Sequence, residues 1–147
     1  MANEYILEDS IGYIVRNFTK SLRIKILENF KKARININIE EWIALAFLNR
    51  FEDKNQQQLG ALLMQDKTAV TRLMDQMETN GIIRRQIDPK DKRNKIINLT
   101  DKGKELYLRV VPHVEKTIDQ AYSGIDINKV ELVKSTLLEM QENLTDD

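Results

Sequence analysis

The chain has 147 residues, with 23 Lys+Arg against 23 Asp+Glu, one His, no Cys, five Gly and two Pro. A chain of this length buries about 70% of its unfolded surface, enough for one core, and so little Gly and Pro argues against collagen-like or many-turned all-β chains. Without Cys there is no disulfide, thiolate metal site, iron–sulfur cluster or thiol redox sensor, and one His is too few for a His-rich metal site.

No apolar run nears the roughly 18 residues of a spanning helix, and Met1-Ala2-Asn3-Glu4-Tyr5 has neither the basic nor the apolar region of a signal peptide. A cytoplasmic chain with no membrane partner is expected. Charge is balanced overall but unevenly spread. Residues 54–100 carry nine basic and five acidic residues, net +4, whereas 101–147 carry six and ten, net −4. A basic centre beside an acidic arm attracts polyanions in one orientation.

In chain order, residues 11–34 are predicted as a helix, because Ile11, Val15, Phe18, Leu22, Ile26 and Phe30 recur at steps of three or four. Asn36-Ile37-Asn38 breaks it. A densely apolar helix follows from Ile39 to Phe51, expected to be buried on more than one face. Asn55, with Gln58 three residues on, has the form of a capping box opening a short helix through Leu59, Leu62 and Leu63. Met64-Gln65-Asp66 reads as a tight turn. Asp66 then caps a helix whose apolar face is Val70, Leu73, Met74 and Met77, and Asn80-Gly81 ends it in the left-handed manner.

The period then changes. Ile82–Ile87 and Lys95–Thr100 are Ile-rich strand candidates around the polar tip Asp88-Pro89-Lys90-Asp91-Lys92-Arg93-Asn94. Thr100 or Asp101 begins a long helix carrying Leu106, Val110, Val114, Ile118, Ala121 and Ile125. Pro112 should kink it, since its nitrogen cannot donate to the Leu108 carbonyl. After a break at Ser123-Gly124, a last helix from about Asn128 carries Val130, Val133, Leu137, Met140 and Leu144 at the spacing of a helical seam. The expected fold is α+β, mostly α. Residues 35–100 form a winged helix-turn-helix lobe, and 1–34 with 101–147 form a helical dimerisation region. Stripes such as Ile11 and Val15 at one end and the seam at the other exceed what a small lobe can cover, and such stripes pack on each other or on a second copy.

Opposite its apolar side, helix 66–80 offers Lys67, Thr68, Thr71, Arg72, Asp75, Gln76 and Thr79. Base edges need donors and acceptors on short or forked side chains; phosphates need cations, hydroxyls and helix-start amides. Arg72 could fork onto guanine and Gln76 could meet adenine. The same side chains also suit an ordinary solvated face. The hairpin weighs against that reading: Arg84, Arg85, Lys90, Lys92, Arg93 and Lys95 put six cations within twelve residues. An Arg at a hairpin tip can enter a narrow minor groove, with Asp91 orienting Arg93. The plainer alternative is a Lys-rich guard on an edge strand.

Here the sequence resembles MarR-type (multiple antibiotic resistance regulator) transcription factors. Ile37-Asn38-Ile39-Glu40-Glu41-Trp42 is similar to the segment opening their second helix. Gln58-Leu59-Gly60-Ala61-Leu62-Leu63 and Thr68 to Glu78 are similar to their helix-turn-helix. Asn80-Gly81-Ile82-Ile83-Arg84-Arg85 and Asp88-Pro89-Lys90-Asp91-Lys92-Arg93 resemble the wing, and Leu99-Thr100-Asp101-Lys102-Gly103 the helix after it. The resemblance implies a homodimer on pseudo-palindromic double-stranded DNA. Thr68, Thr71, Arg72 and Gln76 would be recognition contacts, and Arg93 the minor-groove arginine. It also implies a repressor released by a small aromatic or phenolic effector. Met64-Gln65-Asp66-Lys67 departs from the family's usual Gly-containing turn, so the target sequence does not carry over. The absence of Cys excludes thiol-based sensing.

Tyr13, Arg16, Trp42 and Phe47, with Phe18 and Phe51, are candidates for an effector cleft; for Trp42 and Phe47 core packing is the favoured reading. His113 reads as a surface or interface residue. Glu40-Glu41 and Asp146-Asp147 have no partner base, so no catalytic role is expected, and no cofactor or metal is implied. Two rivals stay open. One is a winged-helix module that binds protein and not DNA. The other is a small enzyme, which lacks any visible nucleophile, base or metal cluster.

Overall fold

Ser10 accepts the Tyr13 N–H and opens helix α1, Ile11–Lys32, after a single 3₁₀ turn at Leu7–Asp9. The structure, a computed structural model, describes residues 4–145; the acidic pair Asp146-Asp147 lies outside them. The α1 stripe divides along its length. Ile26 and Phe30 are buried and Leu22 is partly covered, whereas Ile11 and Phe18 stay exposed.

Asn38 caps α2, Ile39–Arg50, through a reciprocal capping box with Glu41. Buried Ile39, Ala44, Leu45 and Leu48, with half-buried Trp42, Ile43 and Phe47, cover this helix on more than one side, as its sequence requires. Strand β1 is only Lys54–Asn55, followed by α3, Gln56–Leu63, and α4, Lys67–Thr79. Strands β2, Ile83–Ile87, and β3, Lys95–Leu99, form the hairpin, and α5, Asp101–Tyr122, and α6, Ile127–Thr145, close the chain. Helix α5 continues through Pro112 as one element.

The sheet order is β1-β3-β2, all antiparallel, with Arg84 opposite Asn98 and Lys54 opposite Ile97. Sequence reading missed β1, because a two-residue strand has no period to read and exists only through its pairing with β3. Asp53 sets it up. At φ 55° it donates its N–H to Asn98 Oδ1 at 2.9 Å and receives Asn98 Nδ2 at 2.9 Å.

Two apolar clusters hold the chain. One joins α2, α3, α4 and the sheet around Leu45, Leu59, Met74, Met77, Ile83 and Ile97. The other joins α1, the α1–α2 turn and α5 around Ile26, Phe30, Ile35, Ile39 and Val110. Ile37 and Leu106 pack against both, so the helix-turn-helix lobe and the outer helices share a continuous interior. Gly103 makes the joint close: a Cβ there would run into the Ile82 carbonyl.

Candidate nucleic-acid interface

Helix α4 is set by its two ends. Asp66 Oδ1 accepts the Ala69 N–H at 2.8 Å, satisfying one of the orphan donors of the first turn. At the far end Asn80 is the C-cap and Gly81 takes φ 74°. Between them Val70, Leu73, Met74 and Met77 are buried, so the opposite side must face water. Lys67, Thr68, Arg72, Asp75, Gln76 and Thr79 are exposed there, and Thr71 is half-buried. Met64 turns the chain at φ 55°, a left-handed position more often given to Gly or Asn, and α4 starts three residues later. Gly60 lets the two helices cross closely, since a Cβ on it would sit 3.2 Å from Val70 Cγ2.

Thr71 is not a free hydroxyl. It donates to the Lys67 carbonyl at 2.8 Å and accepts from Gln56 Nε2 at 2.6 Å. Gln56 is the first residue of α3, and sequence reasoning did not single it out. No local signal joins residues fifteen positions apart; only the helix-turn-helix geometry does.

At the hairpin tip, Asp88 N–H donates to the Asn94 carbonyl and Asn94 N–H to the Asp91 carbonyl. Arg93 Nε lies 3.2 Å from Asp91 Oδ1, and the Arg93 backbone N–H donates to the same oxygen at 3.0 Å. The guanidinium holds the Asp91 carboxyl below its usual range. The Arg93 side chain is nonetheless 91% exposed. Its charge is oriented without being covered, which suits a group that must still reach a partner. Lys90, Lys92 and Lys95 are exposed around it.

Arg84 and Arg85 depart from the expected cluster. As neighbours on a strand they point to opposite faces. Arg84 stays exposed and lines a shallow hollow with Asn49, Glu52, Asp53 and Lys104, on the side of β2 away from α4. Arg85 turns inward: its Nη2 meets Asp75 Oδ1 at 2.6 Å and Glu78 Oε1 at 2.9 Å, and its side chain is only 16% exposed. It ties the wing to α4 and is not a free cation. Lys67, Arg93 and Lys95 do come together. With Gln56, Gln57, Gln65 and Asn94 they line a cleft of about 730 Å³ between α3, the start of α4 and the wing, with no carboxylate in its walls.

The seam at the chain's other end is covered only in part among the described residues. Helix α6 buries no residue: Val133, Met140 and Leu144 are exposed, and Val130 and Leu137 are only partly covered. Ile11 is exposed and Val15 half-covered on α1.

Residues 37–95 match the family model of the MarR family. Over that stretch, less than half of the chain, the sequence is similar to the MarR family. YkoM of Bacillus subtilis, an uncharacterised HTH-type transcriptional regulator, is 36% identical over 88 residues, which is 60% of this chain and 57% of YkoM. The match thus spans less than two thirds of that relative. Among solved structures, CouR of Rhodococcus jostii RHA1 bound to a 23-mer DNA duplex superposes with a TM-score of 0.83 at 20% identity, covering 95% of this chain and 99% of CouR. BpsR of Bordetella bronchiseptica superposes at 0.86 with 15% identity, covering 99% and 100%. At such identities these two establish the fold alone, a winged helix with long outer helices.

Among the described residues, the effector candidates are not brought together within one chain. Tyr13 and Arg16 line a hollow whose other walls are residues 4–7 and 9–12, at the exposed start of α1. Trp42 is stacked on Tyr107 at 6.2 Å, and Phe47 on Phe51 at 6.4 Å, each against a core cluster. Both Trp42 and Phe47 are half-buried at the margins of the core. Phe51 is in turn flanked by Arg50 and Lys54, and Phe18 is exposed. His113 is half-buried and its carbonyl accepts the Thr117 hydroxyl.

Proposed function

We propose that this chain is a sequence-specific double-stranded DNA-binding transcriptional regulator that acts as a homodimer on a pseudo-palindromic site. The observation that carries it is the pairing of an α4 polar face with an oriented, uncovered Arg93 on the adjacent wing. In helix-turn-helix docking, the start of the second helix enters the major groove; Lys67, Thr68, Thr71, Arg72 and Gln76 stand there or on the same side. Arg93 then meets the flanking minor groove, with Lys90, Lys92 and Lys95 on phosphates. Arg85 and Asp91 position these groups from behind.

The homodimer rests on residues 1–34 and 101–147, with 35–100 as the reading lobe. Uncovered apolar side chains on α1 and α6 favour burial against a second copy. Twofold symmetry sets two α4 helices about 34 Å apart, one turn of B-form DNA. CouR was solved with a duplex, and regulation of BpsR DNA binding by 6-hydroxynicotinic acid is described. By analogy the chain represses by occupying a promoter, and a small aromatic or phenolic effector releases it by favouring a lobe spacing that no longer fits the grooves.

Selection of bound duplexes from a random pool tests this. The expected product is a palindrome with half-sites one turn apart. A pool that stays unenriched, or enriches single half-sites only, would refute it.

A further inference from the structure

Resting on the DNA-reading role proposed above, we infer that Gln56, outside the recognition helix, is a specificity-determining residue that acts by fixing the hydrogen-bonding polarity of Thr71. A threonine hydroxyl has one proton and two acceptor lone pairs. In this structure the proton goes to the Lys67 carbonyl at 2.8 Å and one lone pair takes the Gln56 amide at 2.6 Å. What is left on Thr71 is a single acceptor. A free serine or threonine accepts or donates at will and tells bases apart poorly; an acceptor-only hydroxyl does not have that choice. In the major groove the groups that donate are the exocyclic amines of adenine and cytosine, whereas guanine O6 and N7 and thymine O4 only accept. Thr71 therefore favours an amino-bearing base at the position it faces and disfavours guanine or thymine.

The placement of Gln56 supports this. It is the first residue of α3, and its backbone is fixed by the capping box in which Asn55 and Gln58 exchange hydrogen bonds at 2.8 and 3.0 Å. Its side chain spans the turn to α4 and lines the cation- and amide-walled cleft beside the wing. Gln56 keeps one amide proton and its carbonyl oxygen for further contacts.

The test is duplex selection with the full chain, followed by competition binding, for wild type, Gln56→Met, Gln56→Ala, Thr71→Val and the Gln56→Met/Thr71→Val double variant. Gln56→Met keeps the side-chain length and removes only the amide, so loss of fold is separable by comparing its thermal unfolding with wild type. The wild-type site should have one position per half-site enriched in adenine or cytosine. Gln56→Met should lower discrimination there by about fivefold, the worth of one hydrogen bond, leaving other positions unchanged. Thr71→Val should act at that same position, and the double variant should be no worse than Thr71→Val alone. The inference is overturned if Gln56→Met lowers affinity equally for every sequence, if it alters a different position from Thr71→Val, or if the two losses add. A wild type that enriches no duplex fails the regulator reading itself, an outcome distinct from a wild type that selects a site insensitive to Gln56.

Discussion

Arg85 of β2 reaches across to Asp75 of α4, Nη2 to Oδ1 at 2.6 Å, and takes Glu78 one turn further along with the same nitrogen at 2.9 Å. The wing and α4 are thereby one mechanical unit. Arg85→Met removes the tie and leaves two exposed acids on α4 facing the same polyanion that α4 approaches. Charge-assisted bonds of a well-covered guanidinium contribute about 1–3 kcal/mol. The variant should unfold at lower urea and lose DNA affinity, with most of the affinity loss in the wing's share of the site. Unchanged denaturation and binding curves would show the tie to be idle.

The same contact sets a pH dependence. Hydrogen bonding from Arg85 holds the Glu78 carboxyl below its ordinary 4.5, and Arg23 does the same for Glu40. Lowered folded-state values mean stability that is fully present above about 4.5 and is lost as pH falls through the depressed values. Urea midpoints should be level from pH 7 to 5 and fall on further acidification. In Arg85→Met the acid limb should be shallower. An identical limb in both proteins would remove Glu78 from the explanation.

Arg72 stands exposed on α4, with no side-chain hydrogen bond or ion pair among the described residues. Its fork is thus available for guanine. Arg72→Ala should cost about 1–3 kcal/mol on the selected site and much less on random duplex. Equal losses on both would reduce it to a phosphate contact.

Arg93→Ala should weaken binding most where the flanking DNA has a narrow minor groove, because that is where the enhanced negative potential attracts an inserted guanidinium. Competition among duplexes differing only in their flanks reads this directly. Insensitivity on every flank would place the wing off the DNA.

Leu137→Glu sets a charge into the α6 seam, which the chain itself leaves without buried residues. Sedimentation should shift from dimer to monomer. A dimer of unchanged strength would locate the interface on other surfaces.

Much of this layout was legible because it is local. The Asn55 capping position, the Asp66 cap, the Gly81 exit and the α4 stripe each act within about one helical turn, so sequence spacing alone specifies them. The same holds for Asp91 and Arg93, two residues apart. What escaped was non-local. Strand β1 exists only through β3, the inward turn of Arg85 only through α4, and the Gln56–Thr71 bond only through the angle between α3 and α4. The Trp42–Tyr107 stack joins residues far apart in the chain. Composition misled in one place: six cations near a hairpin look alike in sequence, yet strand alternation sends Arg84 and Arg85 to opposite faces.

The central claim, that α4 and the wing together read duplex DNA, is met most directly by the salt dependence of affinity on a selected palindrome. Each phosphate neutralised releases counterions, so the logarithm of affinity should fall linearly with that of salt, with a slope near −0.9 per contact, and Arg93→Ala should flatten that slope. A scrambled duplex bound as tightly as the palindrome, or an affinity indifferent to salt, would contradict it.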